Sequence, residues 1–191
     1  MATQVSENLK VKVVGKYIFL DNDFLNALFD DEDLFKLSIK LFPVNHMMIE
    51  PFVRIEFLRD TFRPEQYNLK ADFIQKKVFC EATNHQEIFL GLQDNMLVLS
   101  KIYRHQKQAK RISDKCGPSI VDLVLAARLV YYSDSSVLIT GNKKDFPARI
   151  FDCVGSIVCE DELGVTKVFY VLELNIKKFT ECHEQLSRIE I

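Results

Sequence analysis

Short apolar runs alternate with longer stretches of helical periodicity along this chain, and the apolar runs tend to end in polar residues. The first, Tyr17-Ile18-Phe19-Leu20, reads as a buried strand that stops abruptly at Asp21. Phe24, Leu25, Leu28 and Phe29 follow at helical spacing. The acid run Asp30-Asp31-Glu32-Asp33 is expected to be a polar turn capping a second helix that carries Leu34, Phe35, Leu37 and Leu41. Met47-Met48-Ile49 predicts a short strand, and Pro51 suits the first turn of a helix bearing Phe52, Val53, Ile55, Phe57 and Leu58. Two long helical patterns run from Pro64 to about Ala82 and from His85 to about Arg111.

Gly117 and Pro118 then punctuate the chain, and the stretch from Ser119 to Val130 is apolar nearly all round, which marks a buried helix. Ser136-Val137-Leu138-Ile139-Thr140 is a strand of the buried parallel type, again ending in polar residues, from Gly141 through Asn142 to Asp145. Gly155–Cys159 and Lys167–Leu172 read as further strands, and an amphipathic helix runs from about Ile176 to Ile189. Residues 1–15 form a polar lead-in in which Val11, Val13 and Val14 predict an extra strand or an irregular arm. The pattern implies an α/β fold: a single domain over residues 1–191, with an N-terminal arm (1–15), a core (16–160) and a C-terminal strand and helix (161–191).

Composition narrows the class. At 191 residues, 48% hydrophobic and 27% charged, the chain can bury a substantial core, and the composition argues against large-scale disorder. A net charge of -2 argues against a generic nucleic-acid coat while allowing a local basic face. Cys80, Cys116, Cys153, Cys159 and Cys182 form no C-x-x-C pair and suit free thiols in a reducing compartment. His46, His85, His105 and His183 lack zinc spacing. With no apolar signal core and no run approaching a membrane span, the expectation is a cytoplasmic protein without membrane contact.

The candidate chemistry lies in acids. In open α/β sheets, sites are built at the carboxyl ends of the strands, where Asp21 stands. Glu56 is set among apolar helix positions and needs a partner: either a site cation, or Arg54 or Arg59 in a structural ion pair. Asp122 sits in the first turn of the buried helix, as a site ligand or as a satisfied helix-start residue. Asp145, with Thr140 and Asn142, follows the strand that can lie at the same sheet edge. Four converging carboxylates (Asp21, Glu56, Asp122, Asp145) stay ionised only if a cation compensates them. Without Cys or His donors, oxygen ligands select Mg²⁺ or Mn²⁺, which activate water for in-line attack on a phosphodiester.

One concentrated basic patch accompanies them. On a helix, Lys101, Arg104, Gln108 and Arg111 share a face, with Lys107 and Lys110 nearby. Cations at a solvated helix end need no function, but the patch leads straight toward Asp122, which favours contact with a nucleic-acid backbone.

Residues 16–160 carry a family likeness in four stretches: Ile18-Phe19-Leu20-Asp21-Asn22-Asp23-Phe24-Leu25, Arg54-Ile55-Glu56-Phe57-Leu58, Ser119 to Ala127, and Leu138-Ile139-Thr140-Gly141-Asn142-Lys143-Lys144-Asp145-Phe146. In this order they resemble the PIN-domain ribonucleases, which include the VapC-like toxins. The resemblance implies a three-layer α/β/α sandwich with a central, mostly parallel sheet, here with extra helices and a C-terminal strand-helix extension. It also implies Mg²⁺ or Mn²⁺ at the acidic cluster and endonucleolytic cleavage of RNA. Asp21, Glu56 and Asp122 take the places of metal-binding acids, and the fourth ligand is Asn142 or Asp145. The partners implied are RNA, a protein antitoxin or regulator, and a second copy of the chain. Asn22, Val53 and Asn142 depart from the family pattern, and the helices between Glu56 and Asp122 exceed a minimal toxin.

Two other readings compete. A haloacid-dehalogenase-type phosphatase would use Asp21-Asn22-Asp23 as a D-x-D motif, Thr140 as a phosphate-binding hydroxyl and Glu160-Asp161 as final metal acids, leaving Glu56 and Asp122 without a role. A PIN-like module with a weakened metal site would bind RNA or assemble with proteins without cutting.

Overall fold

A computed structural model of the chain describes residues 3–42, 47–59, 61, 63–82, 86–110, 118–160 and 164–189. The chain begins with strand β1 (Thr3–Val5) and helix α1 (Leu9–Val13). Val11 and Val13 are helical rather than extended, and Val14 ends the helix. Leu9 and Val13, four apart, are buried while Val11 and Val14 face solvent, as one turn of helix requires. Gly155 makes room for this turn, since a Cβ there would stand 2.8 Å from Leu9 Cδ1.

The expected strand follows as β2 (Tyr17–Leu20), then α2 (Asn22–Asp30) and α3 (Glu32–Leu41). The acid run does cap α3: the Asp31 carboxylate accepts from the N–H groups of Asp33 and Leu34 at 2.9 and 3.0 Å. Next come β3 (Met47–Ile49), α4 (Pro51–Arg59) and α5 (Pro64–Ile74). The helix expected to run to Ala82 stops at Ile74, and β4 (Phe79–Glu81) takes its place. Phe79 leaves the helix to join an aromatic cluster with Phe73 and Phe35, at ring separations of 5.2 and 6.1 Å.

The second half holds α6 (Gln86–Lys110), α7 (Ile120–Tyr132), β5 (Ser136–Thr140), β6 (Phe151–Glu160), β7 (Thr166–Leu174) and α8 (Ile176–Ile189). Among the described residues, seven strands form one sheet in the order β1-β6-β7-β5-β2-β3-β4. Strands β4, β3, β2 and β5 are mutually parallel, whereas β7, β6 and β1 join through antiparallel pairings, so the sheet is mixed. The antiparallel flank arises because β6 and β7 form a hairpin, which a short connection permits only between antiparallel strands.

This strand order decides where a site can be. From β2 the chain winds outward through β3 to β4, then crosses back over β2 to reach β5. Right-handed crossovers place α2 to α5 on one face and α6 with α7 on the other, compatible with three helix–sheet–helix layers. The helices associate in these groups, α2 with α3 and α4, and α6 with α7 and α8. The reversal between β2 and β5 is a topological switch point, and its carboxyl-end crevice is where such sheets bind ligands. Ile18, Phe19 and Leu20 on one side and Val137, Leu138 and Ile139 on the other are fully buried. Each such side chain contributes about 1.5–3 kcal/mol to the fold by leaving water, which fixes the crevice floor. No helix among the described residues is long and apolar enough to cross a membrane.

Candidate functional site

Asp21 is the first residue beyond β2 and the N-cap of α2. Its backbone N–H donates to Ile139 O at 3.0 Å, extending the ladder by one step and setting Asp21 level with Thr140. The carboxylate is held on both oxygens: Asn22 N–H donates to Oδ1 at 2.7 Å and the Thr140 hydroxyl to Oδ2 at 2.6 Å. Thr140 Oγ1 in turn accepts from Asn142 N–H at 2.9 Å, which leaves its proton committed to Asp21. With Thr140 fully buried and engaged on both sides, its place is that of a positioning residue rather than a direct substrate contact. The local sequence explains this geometry. A small β-branched hydroxyl at the end of β5 fits the sheet yet still reaches the neighbouring strand end.

Asp23 and Asp122 press on this group, and both act on Asp145 as well. Asp23 lies in the first turn of α2 and Asp122 in the first turn of α7. Asp145 belongs to a 3₁₀ turn, Lys143–Asp145, just after β5. Burial, opposed by the Thr140 hydrogen bond and reinforced by the charges of Asp23 and Asp122, pushes the Asp21 carboxyl up to about 7. Asp23 is raised by loss of solvent and then by Asp122. Asp145 is raised by loss of solvent and then by Asp122, against the lowering hydrogen bond from Asn142. Sequence reasoning placed Asp23 in the rival D-x-D motif only. The structure brings it in with Asp21, Asp122 and Asp145, and the detectable signal was its position in the first turn after a strand-end acid.

Asp122 has a dual setting. It completes a capping box, accepting from Ser119 N–H at 2.7 Å while its own N–H donates to Ser119 Oγ at 3.1 Å. The satisfied helix-start reading therefore holds, and so does its electrostatic action on Asp21, Asp23 and Asp145. Gly141 belongs to the site by default of a side chain: a Cβ there would stand 2.9 Å from Asp23 Oδ2. The Asn142 amide donates to the Asp145 carboxylate.

Glu56 is half-buried in the middle of α4. Arg54, one proposed partner for it, lies 3.4 Å from Glu81 on β4. The deeply buried acid of this region is instead Glu50, at the carboxyl end of β3, which sequence reasoning missed. Its Oε2 accepts from Phe52 N–H at 2.6 Å and Oε1 from Arg128 of α7 at 3.3 Å, with both side chains at most 1% exposed. Burial raises the Glu50 carboxyl, against the lowering influence of Phe52 N–H and Arg128.

Of the expected basic patch, Lys101 and Arg104 are described, and both belong to α6. The Tyr103 hydroxyl on α6 donates to Asp145 O at 2.7 Å, docking this part of the helix onto the 3₁₀ turn. Lys101 and Arg104 flank Tyr103 in sequence and are exposed. The Lys107 side chain and the whole of Arg111 lie outside the described residues, as do Cys116 and Asp161. For the phosphatase scheme, Glu160 is poorly placed. Across β7, the β6 residue level with Thr140 is Ser156, and Glu160 is four residues further along. That is about 13 Å along the strand, besides two strand spacings of about 4.8 Å.

The donor set is all oxygen and its charges repel one another, which fits a hard divalent cation. Among the described residues, no group of three or more His, Cys, Asp or Glu side chains is arranged to hold a metal ion as it stands. Compared with protein-family models, with curated proteins and with solved structures, the chain gives no match.

Proposed function

We propose that this chain is a divalent-metal-dependent endoribonuclease with a PIN-like fold, hydrolysing RNA phosphodiester bonds at the carboxyl ends of β2 and β5. The observation that carries this reading is the meeting of acids at a topological switch point, where Asp21, Asp23 and Asp145 are raised by loss of solvent and then by neighbouring aspartates, Asp122 among them. Asp21, Asp122 and Asp145 would hold Mg²⁺ or Mn²⁺, with Asp23, Glu56 and the Asn142 amide as the further oxygen donors within the proposal. The bound cation supplies charge compensation and an acidified water for in-line attack. Thr140 keeps the Asp21 carboxylate turned to the crevice. Lys101 and Arg104, and with them Lys107 and Arg111, receive the phosphates of the strand.

The reading extends to a cytoplasmic setting. It extends also to a protein regulator or a second copy of the chain, which would meet exposed apolar side chains such as Phe52 and Ile55 on α4. The binding-module reading draws support from Asn142, an amide where the family often carries an acid, here satisfying Asp145. Asp122→Asn discriminates among the three. The nuclease loses metal-dependent RNA cleavage by about 100-fold or more. A D-x-D phosphatase keeps its hydrolysis of p-nitrophenyl phosphate, and a binding module retains RNA in EDTA and cuts nothing in either form.

A further inference from the structure

A groove opens beside Asp23 on the α2 side of the sheet. It has a volume of about 320 Å³ and is lined by Asp23, Asn26 and Asp30 of α2, by Gly141 after β5, and by Lys167 and Phe169 of β7. Asp23 and Gly141 belong to the groove and to the candidate site alike, so the two are continuous.

One helix face makes the first wall. Asp23, Asn26, Ala27 and Asp30 follow at spacings of three and four, and span about 10 Å of α2. Opposite, Phe169 packs edge-on against Phe24 at 4.9 Å, and Lys167, two residues before it, shares its face of β7. Thr140 pairs with Tyr170 in an antiparallel register, so Lys167 stands about 10 Å beyond the end of β5. The β6–β7 hairpin overhangs that end and forms the second wall.

The α2 wall is held from behind. Asn26 Nδ2 donates to Asn22 O and Oδ1 at 2.9 and 3.0 Å, and Asn26 Oδ1 accepts from Lys70 Nζ at 2.7 Å. With that amide committed, what the groove offers a ligand is charge: two carboxylates on α2 and one ammonium on β7. Lys167 is exposed and forms no ion pair among the described residues.

We propose that the RNA strand continues from the acids along this groove, with Lys167 receiving the phosphate of a nucleotide that flanks the one being cut. The inference rests on the ribonuclease reading for its substrate and adds the strand's path. Lys101 and Arg104 lie on α6, on the other face of the sheet from α2, so they serve one side of the cut and Lys167 the other. Carboxylates repel phosphate, so the strand turns its phosphate to β7 and its sugar to α2, where a 2′-hydroxyl can donate to Asp30. Ligand clefts run to roughly 300–1,000 Å³, and this one, at the low end, has room for one nucleotide unit.

The salt dependence of binding tests this without cleavage. The full chain is titrated against a short labelled single-stranded RNA in EDTA, and fluorescence anisotropy is followed over a series of salt concentrations. Each phosphate contact to a single strand contributes about 0.7 to the slope of log K against log salt, or about fivefold in affinity at about 0.1 M. Lys167→Gln, a change at an exposed position, should lose that much, and Arg104→Gln the same. The double variant should lose about 1.4, since both residues contact one strand. Lys177→Gln, at the start of α8 beyond the far end of β7, should lose nothing. In the wild type, NMR should show the methyl resonances of Val168, which also lines the groove, moving as RNA is added. A Lys167 variant no different from Lys177→Gln, or Val168 methyls that stay still while RNA binds, would overturn the proposal. The nuclease reading survives that result if the protein still cuts RNA. Lys167-dependent binding in a protein that cuts nothing with Mg²⁺ or Mn²⁺ would uphold the groove and sink the nuclease reading. A wild type that binds no RNA would overturn both.

Discussion

Replacing Asp21 by asparagine should make the protein more stable, and increasingly so as pH rises. In the unfolded chain this carboxyl ionises near 3.8, but in the fold only at about 7. Below the lower value it is protonated in both states and costs nothing. Between the two, the folded state retains a proton that the unfolded state releases, so stability falls with rising pH. Above the upper value the loss is complete, at about 4 kcal/mol. Asparagine never ionises and escapes this loss. Its amide oxygen can still accept from Asn22 N–H, though the charge-assisted bond from Thr140 is given up. The advantage of the variant should therefore grow by about 2–3 kcal/mol between pH 5 and pH 8 and flatten near neutrality. Urea unfolding at four pH values measures it, and in thermal melts the change corresponds to about 4–12 °C. Saturating Mn²⁺ should stabilise the wild type, by about 2.7 kcal/mol at a hundredfold excess over Kd, and leave the variant unmoved. A difference that stays flat across this pH range would refute the electrostatic reasoning.

Other changes probe the supports of the site. Thr140→Val removes the donor to Asp21 and the acceptor for Asn142 N–H, and should destabilise by about 1–3 kcal/mol, more at pH 8 than at pH 5 because the ionised carboxylate gains most from the hydroxyl. Gly141→Ala should displace the Asp23 carboxylate, a mobile side-chain end, so stability falls by only about 1 kcal/mol while metal-dependent cleavage drops sharply. Unchanged cleavage would remove Asp23 from the site. Arg128→Met leaves Glu50 buried without its cation and should cost about 3–5 kcal/mol in urea unfolding. Adding Glu50→Gln should recover part of that loss; simple additivity of the two changes would contradict the pairing.

The sequence carried the acids better than it carried their neighbours. Asp21 was legible because a buried strand breaks at a carboxylate, and Asp122 because one acid in a nearly all-apolar helix needs a reason. Asp23 was harder: a charged residue in the first turn of a helix is ordinary, and its approach to Gly141 depends on β5 lying beside β2. The Glu50–Arg128 pair was out of reach, since its partners are 78 residues apart and each looks unremarkable locally. β4 was read as helix because Phe73 and Phe79 continue an apolar pattern; long-range aromatic packing, not local spacing, sets the break between them. The mixed character of the sheet also escaped, because an alternation of strands and helices does not reveal that β6 and β7 pair as a hairpin.

The most direct test of the central claim is cleavage of a structured RNA pool by wild type and Asp21→Asn, with Mn²⁺, Mg²⁺ or EDTA. The account predicts cutting by the wild type with either cation, none in EDTA, and none by the variant although it is folded and more stable. Cutting that persists in EDTA or in Asp21→Asn, or a folded wild type that cuts under none of these conditions, would contradict it.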